Sequence, residues 1–434
     1  MSNPYPIWTN RSDTEPLWAA EIRLVPSLEA FFVMRHAIRS KVSEALRRSG
    51  VDAYIGVTPA NIVYLAGFQS PFLELSWQMT GTDLVIIPAA IDCPPALIVS
   101  EYAEPEARAA TDIADIRTYS LWTECRDFRL VSGREDPRPA ILQLPEQYRP
   151  DDISGLIEAI FDDRGLSPGR IGTDMVSMRH GSFLAFQRAF PAVEWVDCEP
   201  RLYESRRIKA PFEIKRLKQA AALFDEGVGH AAARLQAGQT LGDIRAAFEA
   251  GVQTGADRMG ISSVVQDTFF FPHLGTGHGA PAQSGDIVKL DCGVKVDGYW
   301  SDACRHVSIG PPSDTKRLIH EALLAGHAAA RARIGPGAVL GDIYDAAIRA
   351  VRKAGLPNYS RGHVGHSIGL DGQIEEPPFI GPNPERLEPG MVICLELPYY
   401  PPDVGGFNIE DMILITEAGY EMLTHLPRDL MQVG

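Results

Sequence analysis

The groups in this sequence best suited to chemistry are four acidic residues set against apolar runs or a tight turn, and one glycine-rich segment holding two histidines. Asp291 follows the run Ile287 to Leu290, and Asp302 stands four residues after Gly298 of the dipeptide Asp297-Gly298. Glu396 follows Met391 to Leu395, and Glu410 precedes Met412 to Ile415. A carboxylate at the edge of a buried run is expensive unless it is paired or bound to a metal, and no neighbouring basic run offers partners for both glutamates. The segment Gly362-His-Val-Gly-His-Ser-Ile-Gly369 adds His363 and His366. Imidazole beside clustered carboxylates is a common metal-ligand combination, so the pattern points to a bound divalent cation, with either histidine able to serve.

Asp297-Gly298 is a strong two-residue hairpin signal. With Val296 paired to Tyr299, counting outward sets Gly293 opposite Asp302, and Asp291 shares the face of Gly293. A second pattern concerns the whole C-terminal half, which repeats itself. Gly229-His-Ala-Ala-Ala-Arg234 recurs as Gly326-His-Ala-Ala-Ala-Arg331, and Leu-Gly-Asp-Ile follows at Leu241 to Ile244 and at Leu340 to Ile343. Gly285-Asp-Ile-Val-Lys-Leu-Asp291 parallels Gly390-Met-Val-Ile-Cys-Leu-Glu396, and Gly298-Tyr-Trp-Ser-Asp302 parallels Gly406-Phe-Asn-Ile-Glu410. Two related halves about a pseudo-dyad would bring all four acids to their junction.

Ahead of the repeat, helical and strand patterns alternate. Leu28 to Ser49 and Ile153 to Phe161 carry helical periodicity, as does Phe183 to Phe190. Asp52 to Val57, Leu84 to Pro88, Leu97 to Ser100 and Arg170 to Thr173 are short strand-like runs. This predicts an α/β domain over residues 1–203 and a second, α+β domain over 204–434. Pro211 and Glu213 suit the first turn of a long helix reaching Leu235.

Composition bounds the function class. The 434 residues are 45% apolar and 22% charged, which is globular. A net charge of −15 gives no basic footprint for nucleic acid. No secretion signal or bilayer-length apolar run is present, so a cytoplasmic protein that does not enter membranes is expected. The six cysteines have no C-x-x-C spacing, which argues against a zinc ribbon or disulfide scaffold. Cys292, Cys304 and Cys394 lie close to the acids; in a strand Cys292 would point away from Asp291, and packing is the expected role.

These residues resemble the pita-bread metallopeptidases, the family of aminopeptidase P, prolidase and their relative creatinase. The family pairs Asp-x-Gly with an Asp eleven residues later, as Asp291 and Asp302 stand here. It then has Gly-His-x-x-Gly-Leu, matched by Gly365-His366-Ser-Ile-Gly369-Leu370, and two strand glutamates, matched by Glu396 and Glu410. Asn61-Ile-Val-Tyr-Leu-Ala-Gly-Phe68 resembles its N-terminal domain motif, and Arg207-Ile-Lys-Ala-Pro-Phe-Glu213 its inter-domain junction. The resemblance implies a creatinase-like α/β domain followed by a pita-bread domain, with metal ligands Asp291, Asp302, His366, Glu396 and Glu410. It implies two divalent cations, Mn²⁺ favoured by oxygen-rich ligation over Co²⁺, Fe²⁺ or Zn²⁺, and Glu396 also as general acid/base. It further implies a homodimer in which the segment Gln69 to Thr82, with Trp77, covers the partner's site.

The surroundings of the ligands depart from the family. Gln373 stands where a second histidine is usual, Gly362 where another is, with His363 displaced by one, and Asn408 where an arginine is. A further family histidine has no match in place; His273 is one residue off, and His278 sits in a glycine-rich setting. The expected catalytic residues are thus Glu396, His273 and Gln373, with His363, Asn408, His278 and Trp77 contacting substrate. The resemblance implies cleavage of an amide C–N bond in an Xaa-Pro dipeptide or short peptide. The departures leave two alternatives: a hydrolase or lyase of a small non-peptide compound, and an inactive binding protein on this scaffold.

Overall fold

The computed structural model describes residues 28–75, 80–121, 148–261, 265–270, 280–372 and 375–434. They fall into two compact units, Leu28–Ser205 and Arg206–Gly434.

The N-terminal unit runs α1 (Leu28–Arg48), β1 (Ala53–Gly56), α2 (Pro59–Ala66), α3 (Pro71–Leu75), β2 (Leu84–Pro88), β3 (Ala96–Ser100), α4 (Glu104–Ala110), β4 (Asp115–Tyr119), α5 (Pro150–Asp163), β5 (Arg170–Thr173), α6 (His180–Ala189), β6 (Glu194–Asp197) and α7 (Glu199–Arg206). Its strands form one mixed sheet in the order β4-β3-β2-β1-β5-β6. The central strands β1, β2 and β3 are buried throughout, as continuous apolar runs require. The Asn61 motif folds as α2. Thr58 caps it by accepting from the Asn61 amide, and Gly67 ends it in the left-handed region at φ 74°. Buried Asp174 ties this helix to the sheet, accepting from the amides of Val57 and Thr58 and from Asn61 Nδ2 at 2.9–3.0 Å.

In the C-terminal unit the sequence repeat is a structural repeat. One half holds α8 (Pro211–Arg234), α9 (Leu241–Met259), β7 (Val265–Phe270), β8 (Ile287–Val296), β9 (Tyr299–Trp300) and β10 (Ala303–Ile309). The other holds α10 (Asp314–Arg331), α11 (Leu340–Lys353), β11 (Gly365–Ser367), β12 (Val392–Glu396) and β13 (Glu410–Thr416), followed by β14 (Gly419–Met422) and β15 (Met431–Val433). The two Gly-His-Ala-Ala-Ala-Arg copies end α8 and α10, and the two Leu-Gly-Asp-Ile copies open α9 and α11. Gly285 and Gly390, which precede the paired strands, both adopt left-handed backbone at φ 85° and 89°.

A single sheet joins the halves in the order β11-β12-β13-β10-β8-β7. Each half keeps its own apolar core. Phe224, Val228, Phe248 and Val252 pack beneath Leu290, Cys292 and Val307; Leu323, Ile343, Ala347 and Val351 pack beneath Ile393, Leu395 and Ile413. Helix pairs therefore cover one face of the sheet, and the other face is left for the site. Pro211 opens α8 as expected, with Glu213 Oε2 accepting from the Ala210 amide at 2.8 Å. No helix among the described residues is long and apolar enough to cross a membrane.

Candidate metal centre

The hairpin sets the first two acids. Asp297 and Gly298 both have positive φ, 48° and 89°, as a type I′ turn needs. Val296 pairs with Tyr299, Lys295 with Trp300 and Cys292 with Ala303. The register is unbroken on both sides of Asp302, which faces Gly293 as counted from the sequence. Between β9 and β10 the ladder is kept by Ser301, whose amide donates to the Val294 carbonyl at 2.8 Å while its Oγ accepts from the Val294 amide at 2.9 Å.

Pairing across the sheet then lines up the rest. Asp291 lies opposite Cys304, Cys304 opposite Glu410, and Glu410 opposite Glu396. Opposed residues in antiparallel strands share a face, so three of the acids form one row across β8, β10, β13 and β12, with Asp302 two residues from Cys304. His366 on β11 is opposite Cys394, two residues from Glu396, and so joins the same face. Donor atoms of Asp291, Asp302 and Glu410 all lie within 4.8 Å of one another, and so do those of His366, Cys394 and Glu410. His366 Nε2 is 3.6 Å from both Asp302 Oδ2 and Glu410 Oε1. Its Nδ1 lies 3.0 Å from the Ser367 carbonyl; donation there leaves Nε2 to face the carboxylates.

The electrostatics are those of acids crowded out of water. Burial, then the charges of Glu396 and Asp291, push Glu410 up to about 8, against the pull of His366. Glu396 is raised as well, by burial first, although Arg361 and His366 oppose this. Burial disfavours charge on His366, but Glu410 outweighs it and holds the imidazole above its ordinary value. Glu410 Oε1 is buried without a hydrogen bond, although a carboxylate in such a place demands partners. Three carboxylates and an imidazole brought together around Glu410, with such an oxygen among them, fit a divalent cation; Glu396 lies in the same row but its contacts are Arg361 and His363.

Outside the five, Asn408 is buried, and its Nδ2 donates to Glu410 Oε2 at 3.0 Å. Its amide donates to His306 Nε2 at 2.9 Å, and His306 Nδ1 meets His320 Nδ1 at 2.9 Å. His363 Nδ1 lies 3.4 Å from Glu396 Oε1, and its ring stacks on Phe379 at 4.5 Å. Burial, with Arg361 and His366 nearby, pulls His363 down to about 4, so it is neutral near pH 7. Gln373, His273, His278 and Trp77 lie outside the described residues.

Several neighbours went unnoticed in the sequence. Arg361 Nη2 lies 3.2 Å from Glu396 Oε1, supplying the cationic partner that no nearby run offered. Lys289 Nζ lies 2.8 Å from Asp291 Oδ2. Cys292 does sit in the apolar core, but Cys304 and Cys394 belong to the site face, and the Cys394 sulfur stands within ligand range of His366 and Glu410. Packing is thus not the whole account of Cys394. Strand alternation was the available signal: Lys289, Cys304 and Cys394 are each two residues from an acid of the site. A cavity of about 420 Å³ adjoins this face, lined by Leu356, Tyr359, Arg361, Tyr399 and Tyr400 among others.

Comparison with known proteins agrees with this architecture. Residues 215–417 match the model of metallopeptidase family M24, and residues 39–208 match the creatinase/prolidase N-terminal domain. The chain is 32% identical over 269 residues to an uncharacterized peptidase, YqhT, of Bacillus subtilis, covering 60% of this chain and 74% of that one. It is 31% identical over 281 residues to a putative dipeptidase, YkvY, of the same organism, covering 64% and 76%. The chain belongs to metallopeptidase family M24. Its two-domain fold is that of the X-Pro aminopeptidase of Thermotoga maritima, with a TM-score of 0.71, 22% identity, and 91% and 99% of the two chains covered. The prolidase of Pyrococcus horikoshii is similar in fold, with a TM-score of 0.70, 21% identity, and 91% and 100% covered. Membership of this family implies divalent metal ions and a peptidase activity.

Proposed function

We propose that the protein is a dinuclear metal-dependent hydrolase that cleaves the amide C–N bond of an Xaa-Pro dipeptide or short Xaa-Pro peptide. Asp291, Asp302, His366, Glu396 and Glu410 hold the metal. The observation that carries this reading is the row Asp291, Glu410 and Glu396 on one sheet face, completed by Asp302 and His366. The two donor groups overlap at Glu410, so this carboxylate would be common to the whole ligand set. Oxygen-rich ligation favours Mn²⁺. When bound, such cations supply Lewis acidity and lower the pKa of water.

The chain's own residues do the rest. Glu396, at the end of β12 and next to the cavity-lining Arg361, takes the proton of the attacking water and returns it to the leaving nitrogen. Asn408 holds Glu410 in place, and His363, neutral and stacked, borders the substrate. The cavity is of the size that small ligands fill. The resemblance to the family also favours a homodimer working in the cytoplasm.

A second reading, hydrolysis of a small non-peptide amide, is favoured by Lys289 and Arg361, which place positive charge on the site carboxylates. The test is to strip the purified chain of metal, reconstitute it with Mn²⁺, and assay Xaa-Pro dipeptides, longer Xaa-Pro peptides and small amides. Turnover of proline peptides is expected. Turnover of small amides alone would replace the first reading by the second, and no Mn²⁺ binding would overturn both.

A further inference from the structure

Lys289 precedes Asp291 by two residues on β8 and therefore points to the same face. Its Nζ lies 2.8 Å from Asp291 Oδ2, 3.4 Å from Tyr400 Oη and 5.1 Å from the centre of the Tyr400 ring. The Lys289 side chain is only 6% exposed, and that of Asp291 13%. A buried ammonium must keep a counter-charge, and here Asp291 provides it, with the Tyr400 ring face as a second, weaker partner. A divalent ion arriving at Asp291 meets a carboxylate already held by a cation. Two positive charges a few ångströms apart in a site shielded from water repel strongly. The situation differs at the middle of the site, where His366 Nε2 faces Asp302 Oδ2 and Glu410 Oε1 at 3.6 Å each.

We propose that Lys289 is a resident cation of the Asp291 position: its ammonium neutralises Asp291 until a second divalent ion displaces it, so the site fills in a fixed order. The inference rests on the metal-dependent reading above. The first ion settles on Asp302, His366 and Glu410, with Glu396 close by. Only the second must compete with the ammonium for Asp291. In the one-ion state the Lys289 ammonium stays on Asp291, so a substrate oxygen there meets an N–H donor in place of a metal.

The test is titration of the metal-stripped full chain with Mn²⁺ by calorimetry, with bound metal counted by elemental analysis. Wild type is expected to bind in two steps, the second weaker by at least about tenfold. Lys289→Met, similar in length and uncharged, should strengthen the second step by at least about tenfold and leave the first unchanged, whereas Lys289→Arg should preserve the gap. Two equal steps in wild type, or an unaltered second step in Lys289→Met, would overturn the proposal while leaving the metal-dependent reading intact. Asp291→Asn gives an arm that does not depend on the Lys289 variants folding. It should remove the second step and keep the first, and loss of both steps would also refute a fixed order. Absence of any Mn²⁺ binding in wild type would instead remove the reading on which the proposal stands.

Discussion

Glu410 faces the site, and the next residue along β13, Asp411, faces the opposite way into a closed ionic network. Asp411 is completely buried. It accepts from Arg305 Nη2 at 2.7 Å and Thr424 Oγ1 at 2.9 Å, lies 3.0 Å from His327 Nε2, and pairs with Arg428. Arg305, itself buried, also donates to the Glu410 carbonyl at 2.6 Å and the Leu426 carbonyl at 3.0 Å. Asp411→Asn keeps the shape and one acceptor but removes the charge, leaving the Arg305 guanidinium buried against a neutral amide. Breaking a buried pair from one side costs about 3–5 kcal/mol. For a unit of this size, at about 2–4 °C per kcal/mol, the melting temperature should fall by roughly 6–20 °C. Calorimetry or circular dichroism reads this directly, and a shift under about 2 °C would refute the reasoning. The pH dependence supplies a second check. Burial opposes the Asp411 charge, but Arg305, His327 and Arg428 outweigh it and hold the carboxyl well below its ordinary 3.8. With the folded value depressed, its contribution is present above pH 3.8 and is lost as pH falls through the folded value. Wild type should therefore lose on acidification an increment that the variant no longer has.

Other outcomes follow from the same geometry. Asp302→Ala should abolish turnover of whatever substrate the wild type accepts, and retained activity would contradict its placement among the ligands. A Cβ on Gly365 would stand 2.2 Å from the Cys394 carbonyl oxygen and 2.8 Å from Ile380 Cδ1. Gly365→Ala should thus push β11 off β12 and carry His366 with it, costing about 1–3 kcal/mol of stability and about 10–100-fold in metal affinity; an unchanged titration would refute this. Burial raises Glu410 from an ordinary 4.5 to about 8 without metal, so its contribution to stability is present below pH 4.5 and lost as pH rises toward 8. Metal must displace that proton, so the gain in melting temperature on adding Mn²⁺ should grow between about pH 6 and pH 8. A flat or shrinking gain across that window would argue against the raised value.

How much could be read in advance depended on how local the cause was. The Asp297-Gly298 turn and the alternation of its flanking strands are local, and they placed Asp302 opposite Gly293 correctly. The half-repeat exposed the matching helix pairs because whole elements recur. The N-terminal strands recognised in the sequence are β1, β2, β3 and β5, the first three buried throughout. β4 and β6 are the two edges of that sheet, half-buried and polar as Asp-Ile-Arg-Thr-Tyr and Glu-Trp-Val-Asp, and they carry too little apolar signal to stand out. Arg361 reaches Glu396 only through the folding of the segment before β11, which no spacing reveals. The Asp411 network gathers residues from α10, β10, β13 and the C-terminal segment, a convergence that only tertiary structure supplies.

The seam between β10 and β13 is where the two halves of the sheet meet. A single aligned pair, Cys304 with Glu410, joins these strands, reinforced by Arg305 reaching across to the Glu410 carbonyl. On either side stands a half with a separate apolar core. Asp291 and Asp302 belong to one half, and His366, Glu396 and Glu410 to the other. Neither half holds the whole proposed donor set, so an ion bound by residues of both would act as a rivet through the thinnest part of the sheet. Without it the halves would be free to open one at a time. With it they would have to open together, and amide exchange at Cys304 and Glu410 would report the change from independent to cooperative opening.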